Sequence, residues 1–219
     1  MKALIFFDIN GTIIKRDDRT DLPFTFAINN LLGIKDAMVG VDTTARSDQD
    51  VFIEVLEKQG KVFSEVLWQK FLALYEVQLN EFYESDVWRE NADACGFIKK
   101  LHDKGYYLSL ITGELKIGAA FKLKKLGLWK YFKAGGFGED GLKRFDIADA
   151  AKRKADLILP TDYQACYVIG DTVLDIQTAR HLKAKVISIA TGSHSMEQLK
   201  VHKPDFLIHK FSEIENLFL

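Results

Sequence analysis

Polar side chains that could take part in phosphoryl transfer follow three of the apolar stretches that we predict to be strands. Asp8 follows ALIFF, and the pair Thr112 and Gly113 follows YYLSLI. Asp171 follows ACYVIG, and Asp175 comes about one helical turn later. In open parallel sheets, ligands bind beyond the carboxyl ends of the strands, so we expect these residues to share one rim.

Grouped carboxylates of this kind fit two roles in phosphoryl transfer. Hard oxygen ligands suit Mg²⁺, which usually takes one or two carboxylates together with waters and phosphate oxygens. A carboxylate can also act as a nucleophile and form an acyl-phosphate. Each residue taken singly is more typical of a turn or a helix cap, so the interpretation depends on the shared rim.

The elements that must position this rim alternate between helices and strands after residue 90. Such alternation predicts a parallel sheet with helices on both faces. Between residues 15 and 86 the apolar spacing is helical, as in FSEVLWQKFLALYEVQLNEFY, and no strand-length apolar run recurs. We therefore predict an α/β fold: a Rossmann-like core from residues 1–14 and 87–219, with an inserted all-helical cap domain at 15–86.

The composition is that of an ordinary globular protein. The 219 residues carry a formal net charge of -1, with 47% hydrophobic and 28% charged residues. No basic excess indicates a nucleic-acid surface, and no run approaches the ~18 apolar residues of a membrane span. Because Asp8 interrupts the first apolar stretch, that stretch does not resemble a signal peptide. We expect a cytoplasmic protein that binds a small molecule and neither nucleic acid nor a membrane. Its oligomeric state is unknown.

Three motifs together resemble those of the haloacid dehalogenase-like (HAD) hydrolases. DINGT is similar to motif one of that superfamily, DxDGT, and LITG is similar to motif two. VIGDTVLDI is similar to motif four, GDTxxD. The similarity runs from residue 3 to about 190, and the helical insertion falls where the superfamily places its helical cap. The resemblance implies an Mg²⁺-dependent phosphatase of small phosphorylated metabolites, of the phosphoglycolate-phosphatase type.

The resemblance also implies roles for residues that contact the phosphoryl group. Asp8 is expected to be the nucleophile, and Thr112 with the Gly113 backbone amide is expected to hold the phosphoryl group. Motif three supplies a basic residue at the start of a helix, and GFGEDGLKRFDIADAA offers Lys143 and Arg144. We favour Arg144, which would bind phosphate as a planar fork, with Lys143 as the alternative.

The expected metal site follows from the same resemblance. Asp171 is expected to ligate Mg²⁺ together with Asp8 and the backbone carbonyl of Asn10. Asp175 is expected to support the water shell of the metal.

Asn10 departs from the family pattern, which has a second aspartate there that protonates the leaving oxygen and later deprotonates water. An amide can hydrogen-bond but has no proton to exchange near neutral pH. Three explanations stay open: an aspartate replaced by design to slow turnover, a naturally slow enzyme or phosphoryl-ligand binder, or a different chemistry. The last is disfavoured, because dehalogenases of this superfamily use no metal and would not need both Asp171 and Asp175. Loss of general acid-base catalysis typically costs ~10²–10⁴-fold in rate.

The stretch TTARSDQD at 43–50 resembles a segment that cap-bearing phosphatases present towards the substrate. Arg46 is therefore a candidate to contact a substrate anion. An equally good interpretation is that Ser47 and Asp48 cap the helix that follows.

The glycines of GGFGEDG match the spacing GxGxxG of dinucleotide-binding loops. That fingerprint requires a firm strand before it and an acidic residue ~20 positions later, after a second strand. Because the preceding WKYFKA is short and flanked by lysines, we predict a flexible loop at the rim and no dinucleotide site.

Overall fold

The computed structural model describes residues 2–218. Within this range, six parallel strands form one sheet in the order β3-β2-β1-β4-β5-β6. The strands are β1 (Ala3–Phe7), β2 (Tyr107–Ile111), β3 (Ala134–Gly136), β4 (Ala165–Gly170), β5 (Lys185–Ile189) and β6 (Phe206–Ile208). The α-helices are α1 (Leu22–Leu32), α2 (Asp48–Lys58), α3 (Glu65–Phe82), α4 (Ala94–Asp103), α5 (Lys116–Lys125), α6 (Arg144–Ile158), α7 (Val173–His181), α8 (Met196–Val201) and α9 (Glu215–Phe218). The predicted α/β fold is confirmed.

Strand β1 lies at the centre of the sheet and fixes the geometry of the rim. Its five residues are buried, as expected for a continuous apolar strand covered on both faces. Phe7 pairs with Leu110 of β2 on one side and with Ile169 of β4 on the other. The next residue, Asp8, donates its backbone N–H to the Ile169 carbonyl at 2.9 Å. The first carboxylate therefore leaves the sheet beside the ends of both neighbouring strands.

The core occupies both faces of the sheet. Successive side chains of a strand point to opposite faces, and β1 follows this rule. Leu4 and Phe6 pack in one cluster with residues of α6 and α7, such as Ile147 and Ile176. The alternate residues of β1 belong to a larger cluster that continues into the helical insertion. This shared core ties the insertion to the sheet.

Helices α1–α3 form the insertion between β1 and α4, and α1 packs against α3. Phe71 stacks on both Trp68 and Tyr75, with ring centroids 5.4 and 5.7 Å apart. The two chain segments that enter and leave the insertion run side by side, because Ile14 forms a bridge with Glu90. The division into a core domain and a cap domain stays a prediction.

Strand β3 corrects the prediction of a flexible loop at the glycine-rich stretch. Ala134–Gly136 pairs with β2 as the edge strand of the sheet. A Cβ on Gly136 would lie 2.2 Å from the Ile147 carbonyl oxygen of α6, and a Cβ on Gly138 would lie 2.2 Å from the Gly113 carbonyl oxygen. These glycines permit close packing of backbone beside the rim.

No helix within residues 2–218 is long and apolar enough to cross a membrane.

Candidate active site

Three carboxylates and one guanidinium meet at the carboxyl ends of the central strands. Arg144 Nη2 lies 3.0 Å from Asp8 Oδ1 and 2.5 Å from Asp175 Oδ1. Arg144 is the first residue of α6, and its side chain is 8% exposed. Lys143 is the exposed N-cap residue of the same helix. The structure thus brings Arg144 into the carboxylate cluster and leaves Lys143 at the surface.

The electrostatics of this cluster favour an additional cation. Burial raises the pKa of Asp8 well above its usual range, and the Asp175 and Asp171 carboxylates add to that rise against the opposing Arg144. Burial, reinforced by Asp175, raises the pKa of Asp171 to about 6. Three ionised carboxylates facing one guanidinium carry a net charge of about -2, and a divalent cation would relieve their repulsion.

Backbone and hydroxyl groups hold Asp171 rigidly. Its Oδ1 accepts a hydrogen bond from Thr12 Oγ1 at 3.2 Å, and its Oδ2 accepts one from the Ser193 backbone N–H at 2.5 Å. Gly11 has a φ of +83°, and a Cβ there would lie 2.5 Å from Asp171 Oδ2. The turn after β1 therefore requires glycine both for its backbone conformation and for this close approach.

Asp175 is held by the capping box of α7. Its Oδ2 accepts hydrogen bonds from the Thr172 backbone N–H at 3.0 Å and from Thr172 Oγ1 at 2.7 Å. Its Oδ1 faces Arg144. Asp175 pairs one oxygen with a guanidinium and accepts two hydrogen bonds on the other, so it is suited to orient other groups rather than to bind a metal directly. Each oxygen of Asp171 accepts one hydrogen bond and keeps a lone pair for a cation.

The donor set fits Mg²⁺ through oxygen atoms on a few residues. Among residues 2–218, no group of three His, Cys, Asp or Glu side chains is arranged as a metal cage. Mg²⁺ does not need one, since it usually keeps several waters. Arg144 contacts Oδ1 of Asp8, so that Oδ2 stays available on the cavity side. Together with Asp171 and the Asn10 carbonyl, this oxygen could hold the cation.

Thr112 and Gly113 lie where β2 ends. Thr112 Oγ1 accepts a hydrogen bond from the Glu114 backbone N–H at 3.2 Å. The Gly113 carbonyl accepts one from the Asp48 backbone N–H at 2.8 Å, and a Cβ on Gly113 would lie 2.0 Å from the Arg46 carbonyl oxygen. The insertion therefore docks directly onto the rim at a position where only glycine fits.

Arg46 lines the cavity, but carboxylates of its own segment engage its guanidinium. Arg46 Nη2 lies 2.6 Å from Asp50, and Nη1 forms an ion pair with Glu54. Ser47 Oγ accepts a hydrogen bond from the Asp50 backbone N–H at 3.1 Å, so Ser47 caps α2. The capping interpretation is confirmed for Ser47, whereas a contact between Arg46 and substrate stays a prediction.

A cavity of about 390 Å³ lies between the rim and the insertion. On the rim side it is lined by Asp8, Asn10, Thr112, Gly113, Arg144, Asp171 and Asp175. On the insertion side its lining includes Asp21, Phe24, Met38, Val41, Asp48 and Val51. This volume is enough for a small metabolite.

Comparison with known proteins agrees with this geometry. The family model of haloacid dehalogenase-like hydrolases matches residues 5–180. The chain belongs to this family. It is 26% identical over 204 residues to a protein of Caldanaerobacter subterraneus named as a pyrophosphatase, PpaX, covering 93% of the chain and 89% of the relative. It is also 26% identical over 235 residues to the phosphoglycolate phosphatase of Agrobacterium fabrum, covering 98% of the chain and 91% of the relative.

A solved hydrolase from Pseudomonas syringae has the same fold. The two structures superpose with a TM-score of 0.70 at 18% sequence identity, covering 99% of this chain and 97% of the other. The HAD fold is thus shared over nearly the full length of both chains.

Sequence reasoning missed one part of this HAD site, a buried charge cluster centred on Lys122. Lys122 Nζ lies 2.6 Å from Glu114 Oε1, 3.3 Å from Asn10 Oδ1 and 3.7 Å from Asp21 Oδ1. A signal was present in the sequence, because Lys122 follows Ala119 by three residues and precedes Leu123 on the buried side of α5. A lysine among apolar residues on a helix face is rarely buried unless it is paired.

Proposed function

We propose that this HAD hydrolase is an Mg²⁺-dependent phosphatase of small phosphorylated metabolites that acts through an aspartyl-phosphate on Asp8. The observation that carries the proposal is the position of Asp8 in the cavity, with one oxygen against Arg144 and the other available. The names of the relatives, a phosphoglycolate phosphatase and a pyrophosphatase, support phosphorylated substrates. The size of the cavity supports small ones.

In the proposed first step, the Asp8 carboxylate attacks phosphorus, the bond to the leaving oxygen breaks, and that oxygen keeps the electron pair. The Thr112 hydroxyl and the Gly113 N–H would hold the phosphoryl oxygens. Arg144 would keep Asp8 ionised, since its guanidinium opposes the effect of burial on the Asp8 pKa. Bound Mg²⁺ would supply charge compensation for the carboxylates and the phosphoryl group.

The second step, attack of water on the aspartyl-phosphate, is where Asn10 limits the chemistry. Water must lose a proton, and the amide of Asn10 cannot take it. Missing general base catalysis is expected to slow this step by ~10²–10⁴-fold. The chain would therefore turn over slowly. The same residue supports the alternative function, a catalytically weak phosphoryl-ligand binder of the same fold.

We also propose that α1–α3 act as a cap that closes over the bound substrate, with the cap domain at 15–86 and the core at 1–14 and 87–219. The docking of Asp48 on Gly113 supports this role. Hydrogen exchange should slow in 15–86 when Mg²⁺ and a phosphate analogue are added. An unchanged exchange rate there would argue against a closing cap.

A cytoplasmic location, proposed from composition alone, can be tested by cell fractionation.

The decisive experiment replaces Asn10 by aspartate and measures hydrolysis of a panel of phosphomonoesters with and without Mg²⁺. We expect a gain of at least about 10²-fold on the best substrate, because the acid-base group returns. Asn80→Asp, a change of the same kind on the exposed face of α3, is the matched control and should leave the rate unchanged. No gain on any substrate would favour the binder.

A further inference from the structure

Lys122 is a buried lysine that the proposed chemistry does not use. It is 1% exposed and ranks among the largest fully buried side chains. Burying an ammonium group costs several kcal/mol unless partners compensate. Here Glu114 compensates at 2.6 Å, and the second neighbour within hydrogen-bond reach is the Asn10 side chain at 3.3 Å. The Lys122 ammonium therefore lies beside Asn10, the residue that departs from the family pattern.

The contact fixes which way the Asn10 amide points. Lys122 Nζ lies 2.6 Å from Glu114 Oε1 and 3.7 Å from Asp21 Oδ1, and two carboxylates at these distances stabilise the charged form of the amine. The side chain is thus an ammonium, which has three donors and no acceptor. The Asn10 atom that faces it must be the oxygen, because the amide NH₂ could not accept. Nδ2 is then the end turned away from Lys122.

Asn10 lines the cavity, and Asp8 lies two residues before it. With Oδ1 bound to Lys122, Nδ2 is the part of the amide that a ligand in the cavity can meet. Because the proposed nucleophile Asp8 and the Asn10 amide line the same cavity, we place the group that departs from phosphorus beside this amide. The amide can donate one hydrogen bond there and transfer no proton.

We propose that Lys122 is a positioning residue that holds Asn10 as a hydrogen-bond donor to the leaving-group oxygen. This inference rests on the proposed phosphatase function. As the bond from phosphorus to the leaving oxygen breaks, that oxygen takes the electron pair and Asn10 Nδ2–H stabilises its developing charge. The oxygen then takes its proton from water, and Asn10 and Lys122 keep theirs.

The kinetic test uses Lys122→Met, which removes the charge but keeps a long side chain. Lys124→Met, an exposed lysine on the same helix, is the matched control. Rates are measured on a series of aryl and alkyl phosphates that differ in the pKa of the leaving alcohol. We expect Lys122→Met to slow the most basic leaving group roughly tenfold and the most acidic less than about twofold. A loss that is equal across the series would overturn the proposal, because a merely structural lysine would affect all substrates alike.

The second test asks whether Lys122 acts through Asn10. Lys122→Met is introduced into an Asn10→Ala background, where we expect no further dependence on the leaving group. A steeper dependence in that background would also overturn the proposal. If Lys122→Met does not fold, Lys122→Met with Glu114→Gln removes both charges together and replaces it in each measurement.

A third readout does not need activity. The side-chain NH₂ signals of Asn10 are assigned in nitrogen-15 NMR spectra by their loss in Asn10→Ala. We expect Lys122→Met, but not Lys124→Met, to shift these signals and to speed hydrogen exchange of the NH₂ group. Unchanged signals would overturn the role of Lys122 even in an active enzyme. Absence of hydrolysis by every variant, with shifted signals, would instead count against the phosphatase function.

Discussion

The two ends of the cavity are built in different ways. The phosphoryl end consists of Asp8, Thr112, Arg144, Asp171 and Asp175. The insertion end is lined by Asp21, Asp48 and Glu114, and the buried Lys122 pairs with Glu114. At the phosphoryl end, each residue follows a strand or lies in the first turn of a helix. Glycine backbone approaches Asp171 and Asp175 closely. At the insertion end, charged side chains from separate segments face one another across the junction of insertion and sheet.

At the phosphoryl end the backbone determines where the functional residues lie, whereas at the insertion end contacts between side chains determine it. Parallel strands place their end residues at one edge whatever the rest of the chain does. In the buried ion cluster, Lys122 and Glu114 come from the core, and Asp21 and Asp48 join them only when the insertion has docked. We therefore expect variants at the phosphoryl end to change the reaction most, and variants at the insertion end to change orientation and stability.

The largest expected effect is at Asp8. With acetyl phosphate and Mg²⁺, the protein should accumulate phosphoenzyme or show a burst, because its first step needs little proton donation and its second lacks a base. Asp8→Ala should abolish both the burst and the added phosphoryl mass seen by mass spectrometry after acid quench. Asp36→Ala, at an exposed aspartate, serves as the control. A label that survives Asp8→Ala would place the nucleophile elsewhere.

The next effect separates Arg144 from Lys143, the alternative that the sequence left open. Arg144→Met should lower kcat/KM by roughly 10²–10³-fold, since it removes a charge that contacts Asp8 and Asp175 directly. Lys143→Met should change it less than about twofold, because that side chain is exposed. Steady-state kinetics on one aryl phosphate would suffice. Equal losses in the two variants would contradict the assignment of Arg144.

The shared position of the strand-end residues at one rim could be predicted from sequence because that pattern is local. A strand followed by Asp8 or Asp171 is readable from a few residues, and parallel pairing then brings the ends together. Lys122 was not predicted, since its contact with Asn10 spans 112 residues and α5 otherwise reads as an ordinary surface helix. Strand β3 was missed because it has three residues, two of them glycines, which are depleted in strands.

Smaller effects are expected for the metal. Asp171→Ala should abolish measurable Mg²⁺ binding, because it removes a proposed ligand. Asp175→Ala should weaken binding only about 10–100-fold, since Asp175 acts through the groups that it orients. The same variant also removes the capping box of α7, which should cost ~1 kcal/mol of stability. Isothermal calorimetry provides the affinities, and an unchanged affinity in Asp171→Ala would refute its role as a ligand.

The smallest effect tests the insertion end through its charge. Burial, followed by the nearby Glu114 carboxylate, raises the pKa of Asp48 well above its ordinary value of 3.8. Asp48 Oδ2 also accepts a hydrogen bond from the Leu115 backbone N–H at 2.8 Å, which an asparagine oxygen can accept as well. Asp48→Asn therefore removes the charge and keeps the contact between the insertion and the rim.

The pH dependence of this variant follows from proton linkage. Well below pH 4, Asp48 is protonated in both folded and unfolded protein, so its charge has no effect on stability. As pH rises, the unfolded chain loses the proton first, and the folded protein is progressively destabilised relative to it. Asp48→Asn should therefore match the parent near pH 3 and become progressively more stable than the parent as pH rises to 7–8, measured by urea unfolding. Glu57→Gln, an exposed carboxylate on the same helix, should show no such gain. A gain for Asp48→Asn that does not grow with pH would mean that the insertion end carries no buried excess of negative charge.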